Sequence, residues 1–240
     1  MNWITIESQI RVIGILAILF TLYSLWMGKM EARGLCAGYT NPVLALELTA
    51  SGAEIDAINR SENGKSTEFI KRQLPKDFGY IAVYVLFFSS LALVLTELAI
   101  DRSKYLGLTA AVCAVLAGIF DVVENIGMRK ATETQVGAAT NSLANSIRYP
   151  SLAKWALLFV CCLLVGLILA RLRGWILIPG LAFLIAALLG LSGVIFNLLR
   201  PKFYWMFPAS FPALGLAILF IAVTFTLWPP KVLNKFFAEF

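Results

Sequence analysis

Histidine is absent from the 240 residues, and only 14% of them are charged. The first absence removes the commonest zinc and haem ligand and the usual general base near neutral pH, so acid–base chemistry falls to carboxylates, lysine or tyrosine, and neither zinc nor haem is expected. The second excludes an ordinary soluble domain, in which about 25% of residues are charged and roughly 45–50% apolar. No D-D-x-x-D, no long D-G-x-x-A-R series, no G-x-S-x-G and no H-E-x-x-H occurs, so the familiar prenyl transferase, CDP-alcohol transferase, serine hydrolase and metalloprotease signatures are missing. The four cysteines, Cys36, Cys113, Cys161 and Cys162, form no C-x-x-C pair, and the adjacent two lie inside an apolar run and read as small hydrophobes. No A-x-A site follows the first apolar segment, which is therefore expected to stay as a span. No internal repeat argues for inverted symmetry.

What is there is hydrocarbon. Of all residues 60% are hydrophobic, and mean hydropathy is +0.81. Apolar runs long enough to cross roughly 30 Å of bilayer recur at about 10–27, 78–100, 105–128, 151–170, 175–199 and 205–228. The expected architecture is all-α, a single polytopic bundle of six transmembrane helices whose first partner is the lipid bilayer. The net charge of +6 comes from basic residues scattered between the spans, which suits anionic headgroups and not nucleic acid.

One stretch of 29–76 is polar enough to lie outside the bundle. Asn41 precedes Pro42 as a helix cap, and Leu44, Leu48, Ile55 and Ile58 share a face, the pattern of an amphipathic helix in the membrane interface that Gly52 would break in two. Residues 61–66, S-E-N-G-K-S, read as a turn, and 67–74 as a second short interfacial helix. Asn59-Arg60-Ser61 matches a glycosylation sequon, a weak three-residue signal.

Residues 117–128, A-G-I-F-D-V-V-E-N-I-G-M, carry the chemistry. Asp121 and Glu124 fall within one turn of an apolar helix, where each ionisable group costs about 2.5–3.5 kcal/mol on insertion scales. Ala110, Ala114 and Gly118 form a small-residue stripe that continues by three and then four to Asp121 and Asn125, so these polar groups are expected to face the bundle. Ala182, Ala186 and Gly190 repeat the stripe on the fifth span. Asp77, Tyr80 and Tyr84 share a face of the second span, and Lys154 lies one turn into the fourth. Six spans put 28–76, 129–148 and 200–204 on one side of the membrane, so counting alone gathers Glu47, Asp77, Tyr80, Tyr84, Asp121, Glu124, Asn125 and Lys154 at one depth. A modest excess of basic residues on that side favours a cytoplasmic Glu47 face.

The order P-x-x-A-L-E-L, then D-F with tyrosines, then D-x-x-E-N, then an early lysine in the next span, resembles a family of small bacterial multi-pass membrane proteins without an assigned activity. The matching positions are Pro42, Glu47, Asp77, Phe78, Tyr84, Asp121, Glu124, Asn125 and Lys154, within residues 40–170. The resemblance implies a bacterial inner (plasma) membrane and no substrate.

Three readings follow. In the first, slightly favoured, the cluster is structural, with Asp121 and Glu124 neutralised by Lys154 or Arg200. In the second, Asp121, Glu124 and Asp77 hold a divalent or monovalent cation by oxygen ligands, or relay a proton, in a cation- or proton-coupled small-solute transporter. In the third, the site belongs to an enzyme acting on a lipid or isoprenoid substrate, either with a metal at Asp121, Glu124 and Asp77 that holds a phosphate, or with one carboxylate as general base while Lys154 steadies an anion. Asp121 and Glu124 are the candidate catalytic pair, Asn125 and Asp77 the supporting ligands, Lys154 the charge balance and Glu47 the residue closing the site from the interface; Tyr80 and Tyr84 complete a site for a lipid or small molecule. The tryptophans and tyrosines at 26, 105, 149, 155, 175, 204, 205 and 228 read as interfacial anchors.

Overall fold

The computed structural model describes residues 3–27, 41–98, 103–171, 174–199 and 206–229. They form α1 (Trp3–Trp26), α2 (Pro42–Glu47), α3 (Gly52–Arg60), α4 (Lys65–Leu98), α5 (Ser103–Glu133), α6 (Asn141–Ala170), α7 (Leu177–Leu199) and α8 (Met206–Leu227), with 3-10 turns at Ser61–Gly64 and Gly174–Ile176. Six of these helices, all but α2 and α3, are long and apolar enough to cross a membrane. The protein is an all-α, polytopic helical bundle. Arg200, Cys36, Tyr204 and Trp205, singled out by sequence, lie outside the described residues.

The long helices close into a ring. Each packs along its neighbours in chain order, α4 on α5, α5 on α6, α6 on α7 and α7 on α8, and α1 closes the circle by packing on both α8 and α4. Small residues make the seams. A Cβ on Gly14 would lie within 2.7 Å of the Thr226 backbone nitrogen, and one on Gly118 within 2.5 Å of Val85 Cγ2, so only glycine lets α1 meet α8 and α5 meet α4 this closely. On α5 the division of faces is complete. Val112, Val115, Ile119, Val123 and Ile126 are exposed, whereas Ala110, Ala114, Ala117, Asp121, Glu124 and Asn125 are buried. Large aliphatics face lipid and small or polar groups face the ring, the inverse of a soluble helix.

Three helices reach beyond the apolar band at one end. α4 has 34 residues, α5 has 31 and α6 has 30, about 45–51 Å at 1.5 Å per residue against roughly 30 Å of hydrocarbon. The expected separate helix at 67–74 is therefore absent. α4 runs unbroken from Lys65 through Pro75, because Ile70, Gln73 and Leu74 are buried and their packing outweighs the backbone bond that the proline removes. The expected loop 129–148 likewise shortens to residues 134–140. Thr140 caps α6 by accepting from the Leu143 N–H at 3.2 Å, and Ala144 and Ile147 of the new first turns are buried.

The α2–α3 segment fills the end that these extensions create. Asn41 accepts from the Val43 N–H at 2.9 Å and Pro42 opens α2; Ser51 caps α3 by accepting from the Glu54 N–H at 3.3 Å, while the Glu54 side chain reaches back to accept from the Ala50 N–H at 2.6 Å. The break between the two helices falls at 48–51, just before Gly52. Leu46, Leu48, Ile55 and Ile58 pack with Ile70, Leu74, Met128, Ala131, Ala144 and Ile147 as a second core. The apolar face expected to meet lipid is thus buried against protein. Polar ties fix the dock: Asn59 Nδ2 donates to the Ala131 carbonyl at 3.0 Å, Asn141 Oδ1 accepts from the Gly52 N–H at 3.0 Å, and Asp56 Oδ1 accepts from the Gly137 N–H at 2.8 Å. Gly137 takes φ +91°, a conformation that favours glycine. Asn59 is buried with its amide engaged, so the sequon is not presented in the folded chain.

Candidate functional site

The cluster forms where the small-residue stripe of α5 ends and α2 covers the ring. Lys154, only 4% exposed, stands at its centre. Its Nζ lies 3.1 Å from Asp121 Oδ1, 3.0 Å and 2.8 Å from the two oxygens of Glu124, and 3.4 Å from Glu47 Oε1. One ammonium therefore joins α2, α5 and α6. The remaining oxygens have their own donors: Tyr84 gives its hydroxyl proton to Asp121 Oδ2 at 2.8 Å, and Trp155 Nε1 donates to Glu47 Oε2 at 2.9 Å. The Trp155 ring centroid lies 5.0 Å from Nζ, adding a cation–π contact. Glu124 is wholly buried, and in such surroundings a carboxylate is tolerated only with a partner of opposite charge this close.

Asp77 stands apart from that knot. Its Oδ2 accepts from Asn125 Nδ2 at 2.6 Å, and no ion pair joins it to a lysine or arginine among the described residues. Asn125 is 2% exposed and its Oδ1 has no hydrogen-bond partner among the described residues. Tyr80, next on the Asp77 face, accepts from Ser24 Oγ at 3.4 Å.

Beside the cluster the ring is hollow. A cavity of about 270 Å³ takes its charged wall from Glu47, Asp77, Asp121 and Lys154. Its remaining walls are mostly aromatic and aliphatic and come from α1, α4, α6 and α8, with Phe88 on the side of the main core and Met27, Asn41, Val43 and Leu44 toward α2. No protein-family model matches the chain, nor does any curated protein or solved structure. The site's chemistry has to be read from its own atoms.

All eight residues predicted from sequence lie in this region, in two groups. Glu47, Asp121, Glu124 and Lys154 form the ion-paired knot, with Tyr84 bonded to it; Asp77, Asn125 and Tyr80 lie to the side. A metal at Asp121, Glu124 and Asp77 finds no support in this geometry. Among the described residues no three Asp, Glu or Cys side chains converge as a metal-holding group, and the place between Asp121 and Glu124 is taken by the lysine ammonium. Trp155, expected to be an interfacial anchor, is instead an inward group that holds Glu47; its position next to Lys154 was the available signal. Tyr105, Tyr149 and Trp26 are exposed, as anchors are. Phe20, Phe88 and Phe211 were not singled out, because nothing in a linear pattern distinguishes a cavity wall from a packed core. Also unforeseen is the buried Arg148, which caps the end of α7 by donating to the Asn197 carbonyl at 2.5 Å and to Asn197 Oδ1 at 3.0 Å.

Proposed function

We propose that this membrane protein is a proton- or cation-coupled small-solute transporter whose solute site is the cavity, in a bacterial inner membrane with the Glu47 end facing the cytoplasm. One observation carries the reading. Among the described residues three carboxylates share the Lys154 ammonium and a fourth, Asp77, makes no ion pair, all beside an unfilled space inside the ring. An interior of low dielectric disfavours that excess of negative charge, and protons or a positively charged guest would balance it. Intramembrane charges facing a cavity are the usual mark of an ion or substrate path. A cluster serving only to hold helices together gives no reason to leave the adjoining space empty.

The helices around the cavity also carry internal prolines close to its lining. Pro75 lies two residues before Asp77, Pro150 one turn before Lys154, and Pro212 two residues before Leu214. Each removes a backbone bond from its helix, and such breaks are tolerated in membrane helices that line a cavity. The α2–α3 segment, with its apolar face buried against α4, α5 and α6, is held by protein and not spread on a lipid surface, which favours a solute over a lipid substrate.

The test is a thermal-stability panel of small solutes and inorganic cations on the detergent-purified protein, followed by vesicles carrying a pH-sensitive dye. A solute at a hundredfold excess over its Kd stabilises the folded state by about 2.7 kcal/mol and raises the midpoint. The expected hit also collapses an imposed pH or cation gradient, and Asp77→Asn and Glu124→Gln abolish this while still inserting. If no solute moves the midpoint and the variants only lower it, the cluster is a structural lock. That second reading has its own observation, the three carboxylates gathered on Lys154 across three helices.

A further inference from the structure

Resting on the reading of the cavity as a solute site, we propose that its substrate class is a small organic cation, a protonated amine or quaternary ammonium on an apolar body, with Asp77 as the counter-ion. The protein already shows how it holds an ammonium here. Lys154 is gripped by carboxylates and lies 5.0 Å from an indole centroid. Beside Asp77 the same two kinds of group occur without the ammonium. Its carboxylate lines the cavity and makes no ion pair among the described residues, Lys154 acting on it only at longer range, and Tyr80 and Tyr84 follow on the same helix face. The aromatic wall is continuous. Phe20 and Tyr80 have centroids 5.2 Å apart and Tyr80 and Tyr84 5.8 Å apart, carrying π surface from α1 to α4.

Competing solutes fit less well. An anion would meet Glu47, Asp77 and Asp121 in the wall, a repulsion that Lys154 does not offset because its charge is already shared. A neutral molecule would leave Asp77 unbalanced. A bare inorganic cation demands a shell of oxygen ligands, and most of this lining is carbon. The volume of about 270 Å³ lies just below the roughly 300–1,000 Å³ of ordinary small-molecule sites, which limits the guest to about one ring and a short chain.

The experiment is calorimetric titration of the full chain in detergent with four probes of one shape: benzyltrimethylammonium, phenethylammonium, the uncharged isostere neopentylbenzene, and phenylacetate. Both cations are expected to bind, the other two at least about ten-fold more weakly. Asp77→Asn should lower cation affinity by about ten-fold or more, Asp77→Glu should keep the preference for cations, and Tyr80→Leu should weaken the quaternary probe. Equal binding of neopentylbenzene and benzyltrimethylammonium, or an Asp77→Asn variant that binds cations as well as the parent, overturns the inference. If neopentylbenzene or phenylacetate binds best and the cavity-filling Leu158→Trp abolishes it, the cavity remains a solute site and only the cation class falls. If none of the four binds, both readings fall.

Discussion

The two halves of the ring interior are built by the same helices and filled in opposite ways. Away from α2, Phe87, Phe88 and Phe183 meet near the middle, with Phe87 and Phe88 4.9 Å apart and Phe88 6.3 Å from Phe183, and aliphatics from α1, α4, α6 and α8 close the remaining space. Toward α2 the corresponding volume holds four carboxylates, a lysine and a cavity. The packed half shows that this backbone ring can be filled by ordinary apolar side chains. The charged and hollow half is therefore a property of the residues placed there and not of helix spacing, and it is the half to which a function belongs.

Breaking the knot should have the largest effect. Lys154→Met leaves three carboxylates without their cation, and removing one partner of a buried pair costs about 3–5 kcal/mol; unfolding in detergent should show that loss, and adding Asp121→Asn and Glu124→Gln to the same chain should recover part of it. Next comes the packed half, where Phe183→Ala should cost about 3 kcal/mol or more through the void it opens, with no change in solute selectivity. Gly14→Val attacks the ring itself, since its side chain meets the Thr226 backbone; a loss of about 1–3 kcal/mol is expected by the same assay. Trp155→Phe keeps a ring but removes the donor to Glu47, a bond to a charged group worth about 1.5–3 kcal/mol at most. Its expected signature is faster thiol labelling of a Leu44→Cys reporter, as α2 loosens. Smallest is Leu214→Ala on the cavity wall, expected below about 1 kcal/mol because one side of that residue already faces empty space. A Leu214→Ala loss as large as that of Phe183→Ala would erase the contrast between the halves.

Much of this was legible in the chain. Ala110, Ala114 and Gly118 lead by helical spacing to Asp121 and Asn125, and counting spans brings Glu47, Asp77 and Lys154 to the same end, because topology acts on whole helices and needs no side-chain detail. The dock of α2 and α3 was not legible, since a face of Leu48, Ile55 and Ile58 suits lipid and protein equally. Nor was the continuity of α4 through Pro75, where tertiary packing overrides a local signal. The division of labour between Glu124, locked to lysine, and Asp77, left beside the cavity, depends on distances of a few ångströms between different helices, and so does the cavity itself.

The closure of the ring by α1 against α8 has a consequence for how the protein is made. During synthesis α1 enters the membrane before its partner α8, so the α1 face that will meet Thr226 and Phe225 spends that interval against lipid or another helix. The cavity takes Phe20 and Ser24 from α1 and Phe211 and Leu214 from α8. It comes into being only when α8 has inserted, and a nascent chain halted before α8 carries every charged residue of the cluster without the completed ring to hold them.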